Sequence, residues 1–529
     1  MQENQNEEII SYIKRAFELK SQECYKQAIE MLYKALETEP DNIEILFQIG
    51  ELYFLLHNYD RAIQYLDKVL AVDNSHLSSL KLLCTIKERQ NYIAEAADIA
   101  KKIFELEKSK DTYIKLIKFY GKLGKISNIE DLMQNNSYND EKITCECANA
   151  LYINRFIDKA KELLYTVDIN NPDNEDCKVL LGKIYFDENE LEKSKEIFDS
   201  FPKTSQNPEI LNYKGLFELE NMNFTEAIKD FSKAANLAPN NAVYYYNLGN
   251  AYFFNGWQQE AVEAYRKAIL NSPENLDYRY SLAYLYFEMN EFDKTKKEVD
   301  YILAQNTEHS QAKVLLALLK LHNKDYLGSR EILENNIKSG NDDSFTMISL
   351  AKVYKELDMY KNAEDAIKKV IENSSDNPSY KIDLAEIYIK EKEYDKAVEL
   401  ADKIISENEN YISAYLTGAN ASYLKGDYDK TKEFAQKALA LDINCSEGYY
   451  YLALVRKNEE DFEEAIECMK RAITYDVSNA KYYAEMSNIY RQINDLKTAF
   501  EYIKEAESID SSTEYKIIYR ELAALNRKK

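Results

Sequence analysis

Four histidines and seven cysteines are the residues with which this chain of 529 would ligate a metal or attack a substrate. His57, His76, His309 and His322 are too widely separated to form a ligand pair, whose members usually lie within about five residues of each other. The cysteines, at 24, 84, 145, 147, 177, 445 and 468, are odd in number and scattered. That pattern fits reduced thiols in a cytoplasmic protein better than a disulfide framework. Cys145-Glu146-Cys147 has one intervening residue where a redox or zinc motif has two, and on a helix its thiols point in different directions. Cys84 falls where a helix pair needs a small residue. No GxGxxG, GxxxxGK[ST] or GxSxG is present, so nucleotide binding and a nucleophile elbow have no starting point. The 92 carboxylates are spread over solvated helix faces. No catalytic residue, metal or cofactor is expected.

The pattern that does stand out concerns packing. In AVYYYNLGNAYFFNGWQQEAVEAYRKAILNSP, residues 242–273, Tyr245, Leu248, Gly249 and Tyr252 recur at i, i+3, i+4 and i+7, the stripe of an amphipathic helix. Asn255 and Gly256 end it, since glycine takes the left-handed turn a helix C-terminus often needs. A second helix carries Ala261, Tyr265 and Ala268 on one face, and Pro273 stops it. Small residues mark the same place in successive helix pairs: Ala28, Ala62, Ala96, Ala160, Ser194, Ala227, Ala261, Thr295, Ser329, Ala363, Ala397, Thr431, Ala465 and Ala499. Ala227 to Ala499 is eight steps of 34.

The period and its fixed residues resemble the tetratricopeptide repeat, a helix–turn–helix unit of 34 residues. Leu248-Gly249, Tyr252, Ala261, Tyr265, Ala268 and Pro273 occupy the signature places, with Tyr245 where a Trp is usual. Ile49-Gly50 with Tyr53 and Ala62, and Leu384-Ala385 with Tyr388 and Ala397, match next best. The resemblance implies an all-α, right-handed superhelical solenoid of about fifteen repeats, with each first helix on the concave surface. A polar tail is expected over 1–8, repeats over 9–206, more regular repeats over 207–513 and a capping helix over 514–529. Between Ala96 and Ala160 the spacing is 64 rather than 68, which predicts a degenerate repeat near 110–140, with Ile129 near the missing small position. At 199–209 the step falls to 33, and Pro202 and Pro208 interrupt helix. Arg527, Lys528 and Lys529 read as a solvated helix end.

Residues not needed for the stripe are the candidates for function. On the inward side these are Tyr246, Asn247, Asn250 and Phe253, then Tyr280, Tyr284 and Phe287 in the next repeat. Rings supply contact area and amides pair with peptide N–H and C=O, so the set predicts a groove for a peptide or partner protein. The Asn247-Leu248-Gly249-Asn250 run is similar to repeats of O-linked N-acetylglucosamine transferase, which implies an alternative role as regulatory or substrate-recognition subunit of an enzyme such as a protein glycosyltransferase. Asn149, Asn250, Asn420 and Asn488 share the inward register, but Tyr284, Leu318, Lys352, Glu386 and Leu454 interrupt that ladder. The carboxylate clamp of chaperone adaptors is absent: Lys81 is followed four residues later by Thr85. A net charge of −24 disfavours phosphate backbones, anionic lipid and close self-association, so a monomer without nucleic-acid or membrane partners is expected. The start shows no secretory signal, and no run reaches the roughly 18 apolar residues of a membrane span.

Overall fold

A computed structural model describes residues 2–134, 140–202, 204–373, 377–510 and 512–526. Among these the chain forms thirty-one α-helices, a 3-10 turn at Pro172–Asn174 and no strand. The expected all-α architecture holds. Thirty helices pair into fifteen hairpins, from Gln2–Ser21 with Tyr25–Thr38 to Ala480–Gln492 with Leu496–Ile509, and Thr513–Asn526 follows alone. The polar start is helical from Gln2. The basic end at 527–529 lies outside the described residues.

The hairpins owe their regularity to two recurring positions. At the turn inside each of the fifteen, one residue has left-handed backbone; only Gly124, Gly256 and Gly426 are glycines there. His57, Met222 and Lys392, for example, adopt φ of 57°, 59° and 64°. Five residues further on, all fourteen small residues named above are fully buried. In the shortened repeat Ile129 is fully buried as well. Where the small residue is serine, the facing helix satisfies it: Ser194 and Ser329 donate to the carbonyls of Gly182 and Ala317 at 2.8 and 2.6 Å, whereas Thr295 donates to the carbonyl of Glu291, the N-cap of its own helix, at 3.1 Å. Helix entry follows a similar economy. The side chains of Asn42, Asn207, Asn241, Asn275, Asn377 and Asn479 accept backbone N–H groups as N-caps, worth about 1 kcal/mol each. His76 and His309 do the same through Nδ1 at 3.3 Å, which gives two of the four histidines a structural role.

Two compact units divide the chain, one reaching Ala264 and the other beginning at Tyr265. Within each, consecutive first helices touch, as Pro208–Glu220 does Ala242–Phe254 and Ser310–His322 does Ser344–Glu356. No consecutive second helices make comparable contact among the described residues. The first helices therefore form the tighter, inner face of each unit. In the first unit three second helices are short: Ile126–Gln134, Ile157–Leu164 and Leu191–Asp199 have 9, 8 and 9 residues, against 13 to 15 elsewhere. Pro208 then opens the next helix at its first turn, where a missing N–H costs nothing. No described helix is long and apolar enough to cross a membrane.

Candidate functional site on the inner helix faces

The sequence-predicted residues fall in both units, four in the first and three in the second, so each set stands on its own. In the first unit, helix Ala242–Phe254 buries Tyr244, Leu248 and Ala251. Its core stripe thus runs through Tyr244 rather than Tyr245, which is half-buried together with Tyr252. Tyr246, Asn250 and Phe253 are half-buried too. Asn247 is only 7% exposed, and its Nδ2 donates to Asn212 Oδ1 on the preceding first helix at 2.8 Å. Losing that bond would leave a buried amide oxygen unmatched, so Asn247 holds two repeats together. Phe253 meets Phe254 edge-on at 5.4 Å, and Phe254 stacks on Phe224 at 6.1 Å.

In the second unit, Tyr280 lies 6.3 Å from Tyr284 and 6.0 Å from the capping His309, centroid to centroid. Tyr284 in turn meets Phe345 edge-on at 6.1 Å, and burial raises its phenol pKa. Phe287 contacts Phe292, whose ring stacks on His322 at 3.8 Å. Rings therefore bridge one repeat to the next along this face. All three side chains remain half-buried.

A second inner region, in the first unit, was not singled out from sequence. First helices Lys110–Lys122, Glu141–Ile153 and Glu175–Asp187 enclose a pocket of 420 Å³, within the size range of ligand sites. Its position follows from the short helices: Ile126–Gln134 separates its neighbours so little that Lys110–Lys122 and Glu141–Ile153 pack extensively. Cys145, Cys177, Val179 and Leu180 supply buried, apolar lining. The Cys145 thiol is pushed far up by its hydrogen bond with Cys177 and by burial, and burial takes Cys147 to about 12. Protonated thiols are poor nucleophiles, so these cysteines pack rather than react.

The rim is polar and balanced. Lys118, Lys122, Lys142 and Lys183 face Glu146, Asp173, Asp176 and Glu209, a locally neutral patch on a chain of −24. Lys118 pairs with Glu146 at 2.9 Å and Lys183 with Glu209 at 2.5 Å, while Lys183 also lies over the Tyr152 ring. Exposed Lys122 and Lys142 have no ion pair among the described residues. Half-buried Asn149 lines the same pocket, and among the described residues its carboxamide makes no hydrogen bond. The pocket can therefore offer an amide and two ammonium groups to a peptide over an apolar floor.

Models described as tetratricopeptide repeat match residues 19–85 and 356–418, and 242–275, 446–478 and 480–513; one described as TPR repeat matches 223–256. The chain carries tetratricopeptide repeats. No curated protein matches it. Among solved structures, the crystal structure of an APC/C hetero-tetramer, Cut9–Hcn1, aligns at 12% identity over 96% of this chain and 95% of that one, with a TM-score of 0.43. A tetratricopeptide repeat protein from Parabacteroides merdae aligns at 19% identity over 47% of this chain and 99% of that one, with a TM-score of 0.39. Naa15/Naa10 bound to HypK-THB aligns at 11% identity over 98% and 96%, with a TM-score of 0.38.

Elsewhere the tetratricopeptide repeats tie up several first-helix charges. Lys81 pairs with Glu107 at 2.6 Å, Lys355 with Glu386 at 2.8 Å, Arg89 lies over Phe54, and Lys481 lies over Tyr450. Lys118, Lys122, Lys142 and Lys183 escaped the sequence reading, although Asn149 was visible on the inward register. The available signal was the slip of spacing between Ala96 and Ala160, which marks the stretch where the pocket forms.

Proposed function

We propose that the chain is a non-catalytic protein-interaction scaffold that holds an extended segment of a partner protein on its first-helix faces. The observation that carries this reading is the 420 Å³ inner pocket, where Asn149, Lys122 and Lys142 have no side-chain partner among the described residues. An unmatched amide suits a peptide backbone, and the flanking lysines suit carboxylates on the bound segment. Tyr246, Asn250, Phe253, Tyr280, Tyr284 and Phe287 would add contact area beyond the pocket; Asn247 would act indirectly, by fixing its helix. The seven free thiols and the strong net charge support a monomer in a reducing, cytoplasmic setting.

The test is selection of a displayed random dodecapeptide library on the full chain, followed by fluorescence polarisation of the enriched peptides. Peptides that bind the wild type and compete with one another for a single site are expected. Peptides that bind the wild type and the variant Lys142→Glu/Asn149→Ala with equal affinity would remove the pocket from the proposal.

A further inference from the structure

We infer that the second-helix side of the second unit carries a separate docking crevice for a basic amphipathic helix of a protein partner. The crevice, of 550 Å³, lies between second helices Tyr326–Lys338 and Tyr360–Asn373, with first helix Ser344–Glu356 between them. Its floor is apolar: Met347, Leu350, Ala366 and Val370 are all core residues and all line it. A trough flanked by two helices with an apolar base accepts the apolar stripe of a third helix, by the same packing that joins the repeats.

The opening is built into the fold. At the place where other second helices carry Ala234, Ala438 or Ala472, this one has the fully buried Asn336. Its Nδ2 donates to Ser310 Oγ at 3.0 Å, and its Oδ1 accepts from Asn341 Nδ2 at 3.2 Å. This clasp fixes the connection where the helix ends at Lys338, and Gly340, at φ +90°, turns the chain onward.

Charge selects the occupant. Five carboxylates line the crevice against Lys338 and Lys369, a ratio of 5 to 2 where the whole chain has 92 to 68. Asp343 is occupied as the N-cap of Ser344–Glu356, and Glu334 accepts from the Tyr354 hydroxyl at 3.1 Å. Asp342, Asp365 and Glu372 are exposed and have no ion pair among the described residues. Three unmatched carboxylates beside an apolar trough fit Lys or Arg on the flanks of a helix whose leucines point down. The inference rests on the crevice alone and stands whether or not the inner pocket binds peptide.

The probe is a fluorescein-labelled 18-residue peptide with Leu at i, i+3, i+4 and i+7 and Lys on the opposite face, set against a scrambled peptide of equal composition. Anisotropy with the full chain is expected to show about tenfold tighter binding of the amphipathic form. Asp365→Lys/Glu372→Lys should weaken it by about tenfold, roughly what reversing two rim charges removes. Asp67→Lys/Asp98→Lys, the same change of net charge on exposed residues of the first unit, should leave it within about twofold. Amide exchange should slow in 334–373 on binding. Equal binding of the scrambled peptide, equal loss in both variants, or protection confined to the first-helix faces would overturn the assignment.

Discussion

The aromatic inner faces and the Asn149 pocket both lie on first helices, in different repeats, yet they treat their inward side chains differently. In the regular repeats these side chains serve other repeats: Asn247 binds Asn212 in the preceding one, and Tyr284 meets Phe345 two repeats on. Where second helices shrink to eight or nine residues, first helices close up and leave a pocket whose amide and two lysines have no side-chain partner among the described residues. Asn247 and Tyr284 are thus committed to stacking between repeats, whereas the shortened stretch leaves an amide and two lysines for something else.

The strongest way to break this contrast is at the small-residue position. If the shortened repeat packed like the others, Ile129→Ala would restore the usual residue at no cost. Because Ile129 is fully buried, the substitution should instead open a cavity and cost about 2–4 kcal/mol, read as a lower urea midpoint or as faster amide exchange in 110–134. The two asparagines sharpen the comparison. Asn247→Ala should cost about 1–2 kcal/mol by orphaning Asn212, whereas Asn149→Ala should leave stability within about 0.5 kcal/mol. Tyr246→Ala combined with Tyr284→Ala is expected to weaken peptide binding with helical circular dichroism unchanged; lost helicity would assign those rings to packing alone.

The smallest effect is electrostatic. Asp140, at the start of Glu141–Ile153, has its carboxyl held below the usual range, first by Lys110 and then by backbone N–H groups. A lowered folded pKa means that the unfolded chain binds the proton more readily. The contribution is therefore present above the ordinary aspartate pKa and is lost as pH falls through the folded value. Asp140→Asn should flatten the acid side of the stability profile below about pH 4, measured by thermal melts across pH.

Much of the fold was legible because a 34-residue period repeats the same requirement, and all fourteen small residues read from it are fully buried. The face of a helix was less legible. Tyr244 and Tyr245 differ by one residue, about 100° around the axis, and burial chose Tyr244. Asn247 could not be separated from Asn250 without knowing that Asn212 stands opposite. The pocket was hidden because it depends on how far three helices run, which ±2-residue uncertainty in helix ends obscures. The outer crevice hangs on a single buried amide, Asn336, whose partners Ser310 and Asn341 come from outside its helix.

The central claim is that unmatched inner groups of the irregular repeats seat a peptide. It is tested by the affinity of a library-selected peptide for the wild type and for Lys142→Glu/Asn149→Ala, measured by polarisation at fixed salt. The account predicts at least about tenfold weaker binding with unchanged circular dichroism and melting. Equal affinity for the two proteins would contradict it.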